Sequence, residues 1–518
     1  MFNIGMFGSH NATIAISKDD KLLEVVEVER FTSIKNCALW FYYNIREPYN
    51  IAVIHEIKNY FNQKYGVTEY ESVIYNSVHQ EYYKIFPAKK YTWLPHHTAH
   101  AYSGLYQSPY SNALIVSADG GSDEGFFNVF IGDKRAGITK IYSGKRDLAV
   151  PYGLVAHYIE DIRKEEPFWG NLVYAGKIMG FANYGNATEE FVNKLHTIYN
   201  SGDDGKIPET VTTIRKVLDI PEEFRFTGQD AKDLAASNQF VFEQLFEEEI
   251  TPFLKEYPSL PLILVGGCGL NILNNTKLAR TRNVFVPPNP NDCGLAVGLL
   301  ASTIKPTEPI DCTYAGPVVW DRHELIRIAH ERSAQVLDIA KLADYIISGK
   351  IVGVVRDRCE HGPRALGNRS ILCNPAITGI KDILNAKVKG REYYRPFAPV
   401  VRLEDVNKYF EWNTESRWMS FCPRVKDEYK NKLEAIVHVD GTARVQTVTK
   451  KQNEFLYNLL TEMHNKTGIG VLLNTSFNVA GKPILNTYKE ALTVLDSKEM
   501  DAVILEDYII QKNRGSQL

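Results

Sequence analysis

One pattern in the sequence restricts the fold more than any other, because it occurs twice. Residues 2–16 read as a strand, a glycine-containing turn and a second strand, and residues 22–29 add a third strand. Residues 113–143 repeat this order, with a polar, glycine-rich turn after the first strand. Two such units in one domain predict duplicated halves that face a cleft, and their turns are suited to hold phosphate with backbone N–H groups. Two unrelated hairpins would give the same pattern, so both interpretations stay open.

Composition limits the class of protein. A chain of 518 residues exceeds what one hydrophobic core usually organises, so we expect two or three domains. Its 44% apolar and 23% charged residues are ordinary for a globular protein, and a net charge of -3 gives no general attraction to nucleic acid. Seven cysteines without a CxxC pair predict reduced thiols. No signal-peptide pattern follows Met1 and no apolar run would span a bilayer, so we expect a cytoplasmic protein without membrane contact.

Three histidines in residues 95–101 indicate a metal site. His96 and His100 are four residues apart, so on a helix both face one side and are able to bind one divalent metal. His97 and His100 are the second choice, and ordinary helix-start histidines are the alternative. Asp292, which opens an apolar helix, is the best candidate for an anionic third ligand, although it also suits a helix N-cap. Asp119, at a strand end beside two glycines, suits a metal or a nucleotide hydroxyl.

Three further stretches of the first part of the chain bear on ligands. A buried strand is followed by Gly266, Gly267 and Asn271, whose backbone N–H groups are suited to a phosphate or ribose. Residues 176–180 are predicted to form a loop around one buried lysine, Lys177. Residues 82–93 interleave basic and aromatic side chains, which favours a strand with its rings in the core over a surface that stacks bases. Residues 40–43 form a second aromatic cluster with the same ambiguity.

The main linker is placed at residues 302–318, which carry three prolines and little periodicity. Helices at residues 321–332 and 339–348 then open a second domain rich in basic side chains on turns. Residues 357–370 place Arg364 and Arg369 in or beside tight turns, where arginine is suited to bind phosphate or carbamoyl phosphate with two hydrogen bonds. Further Arg, Lys, Ser and Asn residues flank later strands, and the set is expected to converge on one anion. There is no GxxxxGK[ST] pattern, so a P-loop is excluded.

Seven motifs in order along the chain resemble the O-carbamoyltransferase family, which includes the nodulation-factor, cephamycin and tobramycin carbamoyltransferases. The motifs are His96-His97-x-x-His100-Ala101, Gly176-Lys177-x-Met179-Gly180, Gly266-Gly267 with Asn271, Glu360-x-Gly362-Pro363-Arg364-Ala365-Leu366-Gly367-x-Arg369-Ser370, Arg395-Pro396-Phe397-Ala398-Pro399, His438-Val439-Asp440-Gly441-Thr442-Ala443-Arg444 and Asn474-Thr475-Ser476-Phe477-Asn478. The fourth and sixth motifs are long enough to be highly specific.

The resemblance implies an α/β protein of mixed α+β type with two domains. Residues 1–318 would form an actin-like carbamoyl-transfer domain with the metal site, similar to the tRNA threonylcarbamoyl-transfer proteins. Residues 319–518 would form a YrdC-like domain that makes carbamoyl-adenylate. The second domain would combine carbamoyl phosphate with ATP to give carbamoyl-adenylate and pyrophosphate, and the first would pass the carbamoyl group to an acceptor hydroxyl and release AMP.

The resemblance also implies roles for single residues. His96, His100 and Asp292 would bind a divalent metal, with Fe²⁺ favoured and Mn²⁺ or Mg²⁺ as alternatives. Contacts to the adenylate would come from Asp119, Gly266, Gly267 and Asn271. ATP and carbamoyl phosphate would be held by Arg364, Lys389, Arg395, Arg444, Asn474 and Ser476, among which Lys389 and Arg444 are expected to be catalytic. His10 and Lys35 would lie near the transferred carbamoyl group or the acceptor.

The acceptor and some partners stay open at this point. The acceptor is either a small molecule or a hydroxymethyl group on a modified cytosine in DNA or a nucleotide, and a homodimer is one option for assembly. Three positions depart from the family pattern: Asn11 follows His10 in place of Asp, Ala175 stands in place of Glu, and Lys482 replaces Glu between Gly481 and Pro483. The first two departures lie in the transfer domain, where the resemblance implies recognition of the acceptor. The alternatives are a nucleotide-binding actin-fold regulator without transfer activity and a tRNA threonylcarbamoyladenosine-type enzyme.

Overall fold

The computed structural model describes residues 1–39, 47–78, 81–122, 124–163, 170–202, 205–479 and 481–512. The aromatic cluster at residues 40–43 therefore lies outside the described residues. Contacts within the chain separate two compact units. Unit 1 combines Met1–Thr92 with Asp311–Leu518, and unit 2 is Trp93–Ile310. This grouping of contacts does not test the domain boundary at residue 318, which stays a prediction from the sequence.

The first sheet belongs to unit 1 and contains the first strand–turn–strand pattern. Its five strands run in the order β3-β2-β1-β4-β5. β1 pairs antiparallel with β2 and parallel with β4, and β2 pairs antiparallel with β3. The strands are β1 Phe2–Phe7, β2 Thr13–Lys18, β3 Lys21–Glu27, β4 Tyr70–Asn76 and β5 Ala88–Trp93.

The second sheet, in unit 2, repeats that arrangement. Its order is β10-β9-β6-β7-β8. Its first strand pairs antiparallel with the second and parallel with the fourth, as in the first sheet. The strands are β6 Asn112–Ala118, β7 Phe127–Asp133, β8 Gly137–Gly144, β9 Leu262–Val265 and β10 Val284–Phe285. Both strand–turn–strand units of the sequence thus begin a five-stranded sheet with the same strand order.

The third sheet, in unit 1, has eight strands in the order β11-β18-β17-β12-β13-β16-β14-β15. Neighbouring residues along β16 face two different core clusters, since Leu473 packs in one and Leu472 in the other. This period of two shows that both faces of the sheet are covered. The strands are β11 Gln335–Val336, β12 Val352–Val355, β13 Arg369–Cys373, β14 Ala398–Arg402, β15 Gln446–Val448, β16 Val471–Ser476, β17 Ala502–Leu505 and β18 Tyr508–Gln511.

Helices connect and cover these sheets, so the expected mixed α/β class is confirmed. The described helices are α1 Val28–Thr32, α2 Glu47–Tyr65, α3 His96–Gln107, α4 Val150–Val155, α5 Gly170–Phe181, α6 Glu189–Tyr199, α7 Ile207–Leu218, α8 Gly228–Glu256, α9 Ile272–Ala279, α10 Leu295–Ile304, α11 Leu325–Glu331, α12 Ile339–Ile347, α13 Ile380–Ile383, α14 Val406–Tyr409, α15 Asp427–Lys430, α16 Glu454–Thr467 and α17 Tyr488–Ser497. Within the described ranges, every helix is either too short or too polar to span a bilayer.

One local prediction is wrong. Residues 176–180, expected to form a loop, lie in helix α5, although Lys177 is buried as expected. The two glycines of this stretch suggested a turn, but a helix tolerates glycine at a cost of about 1 kcal/mol each when tertiary packing favours it.

Four of the five aromatic residues at 82–93 follow the core interpretation, whereas Trp93 is 50% exposed and only Ala88–Trp93 is a strand. Tyr82 and Phe86 are buried in the core of the first sheet. Tyr83 stacks on Tyr75 with ring centroids 3.9 Å apart. Rings that pack against each other in a core do not present free faces on which bases could stack. Four of the rings are therefore unavailable for stacking, and Trp93 is the ring of this stretch that stays exposed.

Candidate functional site

Four side chains of unit 2 converge in one cluster, which we call the metal-ligand cluster: His96, His100, Asp119 and Asp292. One ligand atom from each lies within 4.8 Å of all the others. The Nε2 atoms of His96 and His100 are 3.2 Å apart. The Nε2 atom of His100 is 3.2 Å from Oδ2 of Asp119 and 3.3 Å from Oδ1 of Asp292. Ligands at about 2.0–2.2 Å from one ion stand roughly 3.0–3.5 Å from each other, so this spacing fits a divalent metal.

His97, the alternative metal ligand predicted from the sequence, points into the protein and is not part of the metal-ligand cluster. Its Nδ1 atom is 2.7 Å from Oγ of Ser117, and its Nε2 atom is 2.9 Å from the carbonyl oxygen of Gly125. Both ring nitrogens are therefore occupied by hydrogen bonds. Burial, together with the charges of His96 and His100, lowers the pKa of His97 to about 3, which keeps the ring neutral. The helical i, i+4 pair is the one that shares the cluster.

The two aspartates give the cluster its negative character. Burial opposes the charged form of Asp119, but hydrogen bonds from His100 and His96 hold its pKa well below the usual range. Burial also opposes protonation of His100, yet Asp119 and Asp292 raise the pKa of that ring to about 9. Carboxylates that favour a proton this strongly would also favour a divalent cation in the same place. Imidazole and carboxylate donors together suit Fe²⁺, Mn²⁺ or Zn²⁺.

The segments that carry Asp119 and Asp292 pack closely against their neighbours at glycines, and this packing positions both carboxylates beside the histidines. Asp119 follows β6, and its Oδ2 atom accepts a hydrogen bond of 2.8 Å from the N–H of Gly267, which follows β9. Asp292 lies in a 3₁₀ turn, Asp292–Gly294, that leads into α10. Helix α10 lies against α3 at Gly298, where a Cβ atom would be 1.9 Å from the carbonyl oxygen of Ala99. The contact between α3 and α10 therefore requires glycine at position 298, because any side chain there would collide with α3.

We expect Gly298→Ala to destabilise unit 2 and to displace Asp292 from the histidines. A methyl group so close to a backbone oxygen forces the two helices apart, with a cost of roughly 1–3 kcal/mol. Differential scanning fluorimetry should show a lower melting temperature, and metal analysis should show reduced metal content. The control is Gly176→Ala in α5, where an added Cβ meets nothing within 4 Å. Equal melting temperatures for the two variants would contradict the packing argument.

The residues predicted to contact the adenylate differ in their local roles. Gly266 has φ +86°, and a Cβ there would lie 2.2 Å from the carbonyl oxygen of Ala118, so only glycine fits. Asn271 caps α9, since its Oδ1 atom accepts a 3.1 Å hydrogen bond from the N–H of Asn274. The same amide exchanges hydrogen bonds with Gln239. Contacts of these residues with an adenylate stay predictions.

Asp147, a buried carboxylate of unit 2, was not found from the sequence. Its Oδ1 atom accepts hydrogen bonds from the N–H groups of Ala149 and Val150, at 2.9 and 3.0 Å. Its buried Oδ2 atom has no hydrogen-bond partner among the described residues. Burial raises the pKa of Asp147 to about 7, and the charge of Asp119 adds to this rise. The two N–H hydrogen bonds act in the opposite direction, because they stabilise the charged carboxylate. An isolated aspartate in a loop carries no sequence signal for this.

The raised pKa of Asp147 predicts a pH dependence of stability. Between about pH 4 and 7 the folded protein retains a proton that the unfolded chain has lost, so stability should fall as the pH rises through this window. Asp147→Asn keeps an acceptor for both N–H groups but does not ionise. We expect it to melt at a higher temperature than the wild type at pH 8, with a difference worth roughly 2–4 kcal/mol, and at a similar temperature at pH 4. Parallel melting profiles across this pH range would contradict the assignment.

Unit 1 contains a second group of charges, which we call the cation cluster: Arg364, Lys389, Arg391, Arg395 and Arg444. Burial lowers the pKa of Arg444 well below its usual range, and the charges of Arg364, Arg391 and Arg395 lower it further. Burial and the same neighbours, Arg391 and Arg395, also lower the pKa of Lys389. No ion pair of Arg364 or Arg444 is found among the described residues. Five cations held together in this way attract an anion.

The members of the cation cluster are held by neutral groups or by one carboxylate. Lys389, at the end of a π-helical turn, donates hydrogen bonds to the carbonyl oxygens of Ser476 and Asn478, at 2.5 and 3.0 Å. Arg391 lies over the ring of Phe397, with 4.2 Å to the centroid. Arg395 is 3.7 Å from Glu392. The predicted set Arg364, Lys389, Arg395, Arg444 and Ser476 is thus brought together, and Arg391 joins it.

Lys35 and His10 are also in unit 1. The charge of Lys35 contributes to the lowered pKa of Lys389, after burial and the two arginines, which places Lys35 beside the cation cluster. The Nδ1 atom of His10 is 3.3 Å from Oδ1 of Asn11. Asn11 stands where the resembling family has an acid, so this histidine is oriented by a neutral amide. The proposed closeness of both residues to a carbamoyl group stays a prediction.

Arg369 does not belong to the cation cluster. Its side chain is fully buried and donates to the carbonyl oxygens of Asn368 and Asp357 at 2.8 and 2.9 Å. It also donates twice to Oδ1 of Asn486, at 3.0 and 2.9 Å. Donors so fully used by the protein leave none for an anion. The expectation that Arg369 binds an anion with Arg364 is therefore wrong, and this arginine supports the turn.

The loop that carries Arg364 is fixed by two residues near the start of the chain. Arg30 donates to the carbonyl oxygens of Glu360 and Gly362, the latter at 2.6 Å. Glu27 accepts from the N–H of Gly362 at 2.9 Å and forms a 3.0 Å ion pair with Arg30. This buried contact joins the first sheet to the loop at residues 360–364. It explains why the N-terminal segment and the C-terminal half form one compact unit.

The fold and the two clusters define a mixed α/β protein of two units, with candidate sites for a metal and for an anion. Residues 43–301 match the family model described as "Carbamoyltransferase N-terminus", and residues 343–512 match "Carbamoyltransferase C-terminus". These ranges include both clusters. The chain belongs to the carbamoyltransferase family of enzymes.

Named relatives agree with this assignment. The chain is 31% identical over 472 residues to nodulation protein NolNO of Sinorhizobium fredii, covering 84% of this chain and 66% of that protein. It is 31% identical over 356 residues to 3'-hydroxymethylcephem-O-carbamoyltransferase of Streptomyces clavuligerus, covering 66% of each. The chain thus spans about two thirds of the length of these relatives. Full-length HypF in its phosphate- and nucleotide-bound form overlaps with a TM-score of 0.34 and 13% identity, over 59% of this chain and 55% of that one.

Proposed function

We propose that this protein is an ATP-dependent O-carbamoyltransferase that uses carbamoyl phosphate. The cation cluster is the observation that carries the proposal. Carbamoyl phosphate and the triphosphate of ATP are both anions, and together they would neutralise the charges of Arg364, Lys389, Arg391, Arg395 and Arg444. The family model that covers this region is a carbamoyltransferase C-terminus, so the donor of the carbamoyl group is expected here.

The proposed reaction balances in three steps. Water releases phosphate from carbamoyl phosphate and leaves carbamate. A carbamate oxygen attacks the α-phosphorus of ATP, the bond to the β-phosphate breaks, and carbamoyl-adenylate and pyrophosphate result. The acceptor oxygen then attacks the carbamoyl carbon, the bond to AMP breaks, and the hydroxyl proton passes to solvent. Arginine and lysine donors around the phosphates lower the barrier of the second step, because they stabilise the charge on the leaving pyrophosphate.

The metal-ligand cluster is proposed to serve the transfer step. His96, His100, Asp119 and Asp292 would hold the ion, and their spacing and donor types fit it. A divalent ion at this place would supply Lewis-acid stabilisation of an adenylate phosphate or of the carbamoyl oxygen. Because Gly267 and Asp119 are joined by a hydrogen bond, the glycine turn proposed to contact the adenylate adjoins the ligands. The first 318 residues would be actin-like and the remainder YrdC-like.

The proposed acceptor is a hydroxyl of a small molecule. The name of the cephem relative states a hydroxymethyl group as its acceptor, and the same chemistry is proposed for this chain. Core packing of Tyr82, Tyr83 and Phe86 leaves too few exposed rings at residues 82–93 for the stacking surface that a nucleic-acid acceptor would need. Asn11 and Ala175 replace acids of the family pattern, which points to an acceptor different from those of the relatives.

One incubation tests the proposal. Purified protein with ATP, carbamoyl phosphate and a divalent metal is offered a panel of hydroxylated sugars, hydroxymethyl antibiotics and hydroxymethylcytosine DNA. Mass spectrometry should detect a carbamoyl group on one small-molecule acceptor only when both ATP and carbamoyl phosphate are present. Transfer that persists without ATP would reject the adenylate route. Modification of the DNA alone would reject the small-molecule acceptor.

A further inference from the structure

The turn between β6 and β7 carries a carboxylate that binds the start of helix α3. Oε2 of Glu124 accepts a 2.9 Å hydrogen bond from the N–H of Thr98, and Oε1 accepts another of 2.9 Å from the hydroxyl of Thr98. Helix α3 follows Pro95, which provides no side-chain cap. Because the first N–H groups of a helix have no partner within it, Glu124 serves as the cap of α3 from another segment of the chain.

The Glu124 carboxylate is held in place by its surroundings. Its side chain is 7% exposed, and its Oε1 atom is 2.9 Å from Nζ of Lys140 in β8. The backbone carbonyl oxygen of Glu124 accepts a 2.6 Å hydrogen bond from the hydroxyl of Ser143, also in β8. The helix dipole favours a negative charge at a helix N-terminus, so a carboxylate caps α3 better than a neutral group would. Glu124 is thus a fixed connection between the turn and the helix.

A second connection lies beside the first. The residue before Thr98 is His97, whose Nε2 atom is 2.9 Å from the carbonyl oxygen of Gly125. Gly125 is the residue after Glu124. A carbonyl oxygen only accepts, so Nε2 of His97 carries the proton and Nδ1 accepts from the hydroxyl of Ser117 in β6. Two neighbouring residues of α3 are therefore bonded to β6 and to the turn that follows it.

Both connections lie between metal ligands in the sequence. On α3 they are at positions 97 and 98, between His96 and His100, and on the turn they are at positions 124 and 125, after Asp119. They fix the rotation of α3 about its axis and its distance from the turn. These two quantities determine the 3.2 Å spacing between Nε2 of His100 and Oδ2 of Asp119. The hydrogen bonds use atoms other than the ligand atoms, so they form before a metal binds.

We propose that Glu124 is a positioning residue, which holds α3 and Asp119 at the spacing of the metal site in the metal-free protein. A site that is already arranged loses less conformational freedom when it binds its ligand, so its affinity is higher. Glu124 is not itself a ligand in this proposal, because its oxygens bind Thr98 and Lys140. The inference rests on the proposed metal site and adds to it a residue outside the motifs of the sequence.

The test measures binding of Mn²⁺ to the metal-free protein by isothermal titration calorimetry. Glu124→Ala should raise the Kd about tenfold or more, as is found when residues that orient metal ligands are removed. Glu124→Gln keeps an acceptor but not the charge, so it should raise the Kd less. Thr98→Val removes the hydroxyl that Glu124 binds. Added to Glu124→Ala it should change the Kd little further, because the two side chains act through one contact.

The matched control is Thr188→Ala, which removes the cap of another helix in unit 2. The side chain of Thr188 accepts a hydrogen bond from the N–H of Phe191 at the start of α6. Loss of this cap should lower the melting temperature of the metal-free protein, yet leave the Kd for Mn²⁺ at the wild-type value. If Glu124→Ala does not fold, Glu124→Gln and Thr98→Val provide the same comparison with this control.

The outcomes separate the role of Glu124 from the metal site itself. Equal Kd values for the wild type and the Glu124 variants would overturn that role, and so would an equal rise of the Kd in Thr188→Ala, because any lost cap would then have the same effect. Complete loss of binding in Glu124→Gln would make Glu124 a ligand, which also contradicts the inference. A wild type that binds no Mn²⁺ would instead reject the proposed metal site, and the inference with it.

Discussion

Arg444→Ala is expected to stop carbamoyl-phosphate-dependent exchange of pyrophosphate into ATP, by on the order of 10²- to 10³-fold in kcat/KM. Arg444 belongs to the cation cluster, has a buried Nε atom without a partner among the described residues, and forms no ion pair there. A substrate phosphate that binds this guanidinium loses a charge-assisted contact when the side chain is removed. Arg444→Lys should recover only part of the rate, since lysine keeps the charge but not the two-pronged geometry.

The same substitution should leave folding intact or make it more favourable. Burial and the charges of Arg364, Arg391 and Arg395 all lower the pKa of Arg444, so the folded protein bears an unfavourable charge there when no anion is bound. We therefore expect a melting temperature equal to or above that of the wild type in buffer without phosphate. The matched control is Arg327→Ala, an exposed arginine of α11 paired with Glu324 and Glu331, which should change neither property. If Arg444→Ala exchanged pyrophosphate into ATP at the wild-type rate, Arg444 would not be part of the substrate site.

His100→Ala is expected to strip the bound metal and to abolish carbamoyl transfer while pyrophosphate exchange continues. The side chain is buried, and its Nε2 atom lies within 3.3 Å of a carboxylate oxygen from each of Asp119 and Asp292. Removing one of four ligands from such a cluster weakens metal binding by several kcal/mol. Exchange is assigned to the cation cluster of unit 1, so it should be retained. His96→Ala should give the same separation of the two activities.

Metal content by mass spectrometry and transfer activity are measured on the same samples. The control is His196→Ala, a partly buried histidine of α6 in unit 2 whose Nε2 atom is 3.0 Å from Oε1 of Gln244. It should keep full metal and full transfer. Retention of stoichiometric metal by both His96→Ala and His100→Ala would show that the cluster is not the metal site. Loss of exchange together with transfer would show that the two activities are not divided as proposed.

Local patterns predicted the elements of this fold well. Apolar runs separated by glycine-containing turns predicted the two strand–turn–strand segments. Both segments begin a five-stranded sheet of the same strand order. The spacing of His96 and His100 was enough to place them on one face of α3. These features depend on residues within one or two turns of each other, which is the range over which sequence periodicity carries information.

What sequence reasoning missed depends on contacts across the chain. The sequence left Asp119 open between a metal and a nucleotide and did not include it in the predicted ligand set of His96, His100 and Asp292. Its carboxylate lies in the metal-ligand cluster because β6 and β9 pair side by side. Arg364 and Arg369 share one motif, but only Arg364 lies in the cation cluster, since Arg369 begins β13 and its guanidinium is buried and hydrogen-bonded to the protein. The clamp of Glu27 and Arg30 on the Arg364 loop joins residues more than 300 positions apart in sequence. The spacing of residues in a sequence does not predict contacts between segments so far apart in the chain.

The central claim is that carbamoyl transfer proceeds through carbamoyl-adenylate. The most direct test is to identify the products formed from ATP in a reaction that contains ATP, carbamoyl phosphate and the acceptor. Nucleotides are separated by chromatography and pyrophosphate is assayed enzymatically in the same reaction. Carbamoyl-adenylate chemistry predicts one AMP and one pyrophosphate for every carbamoyl group transferred, with neither formed when carbamoyl phosphate is omitted. Formation of ADP and phosphate in their place, or carbamoyl transfer with ATP left intact, would contradict it.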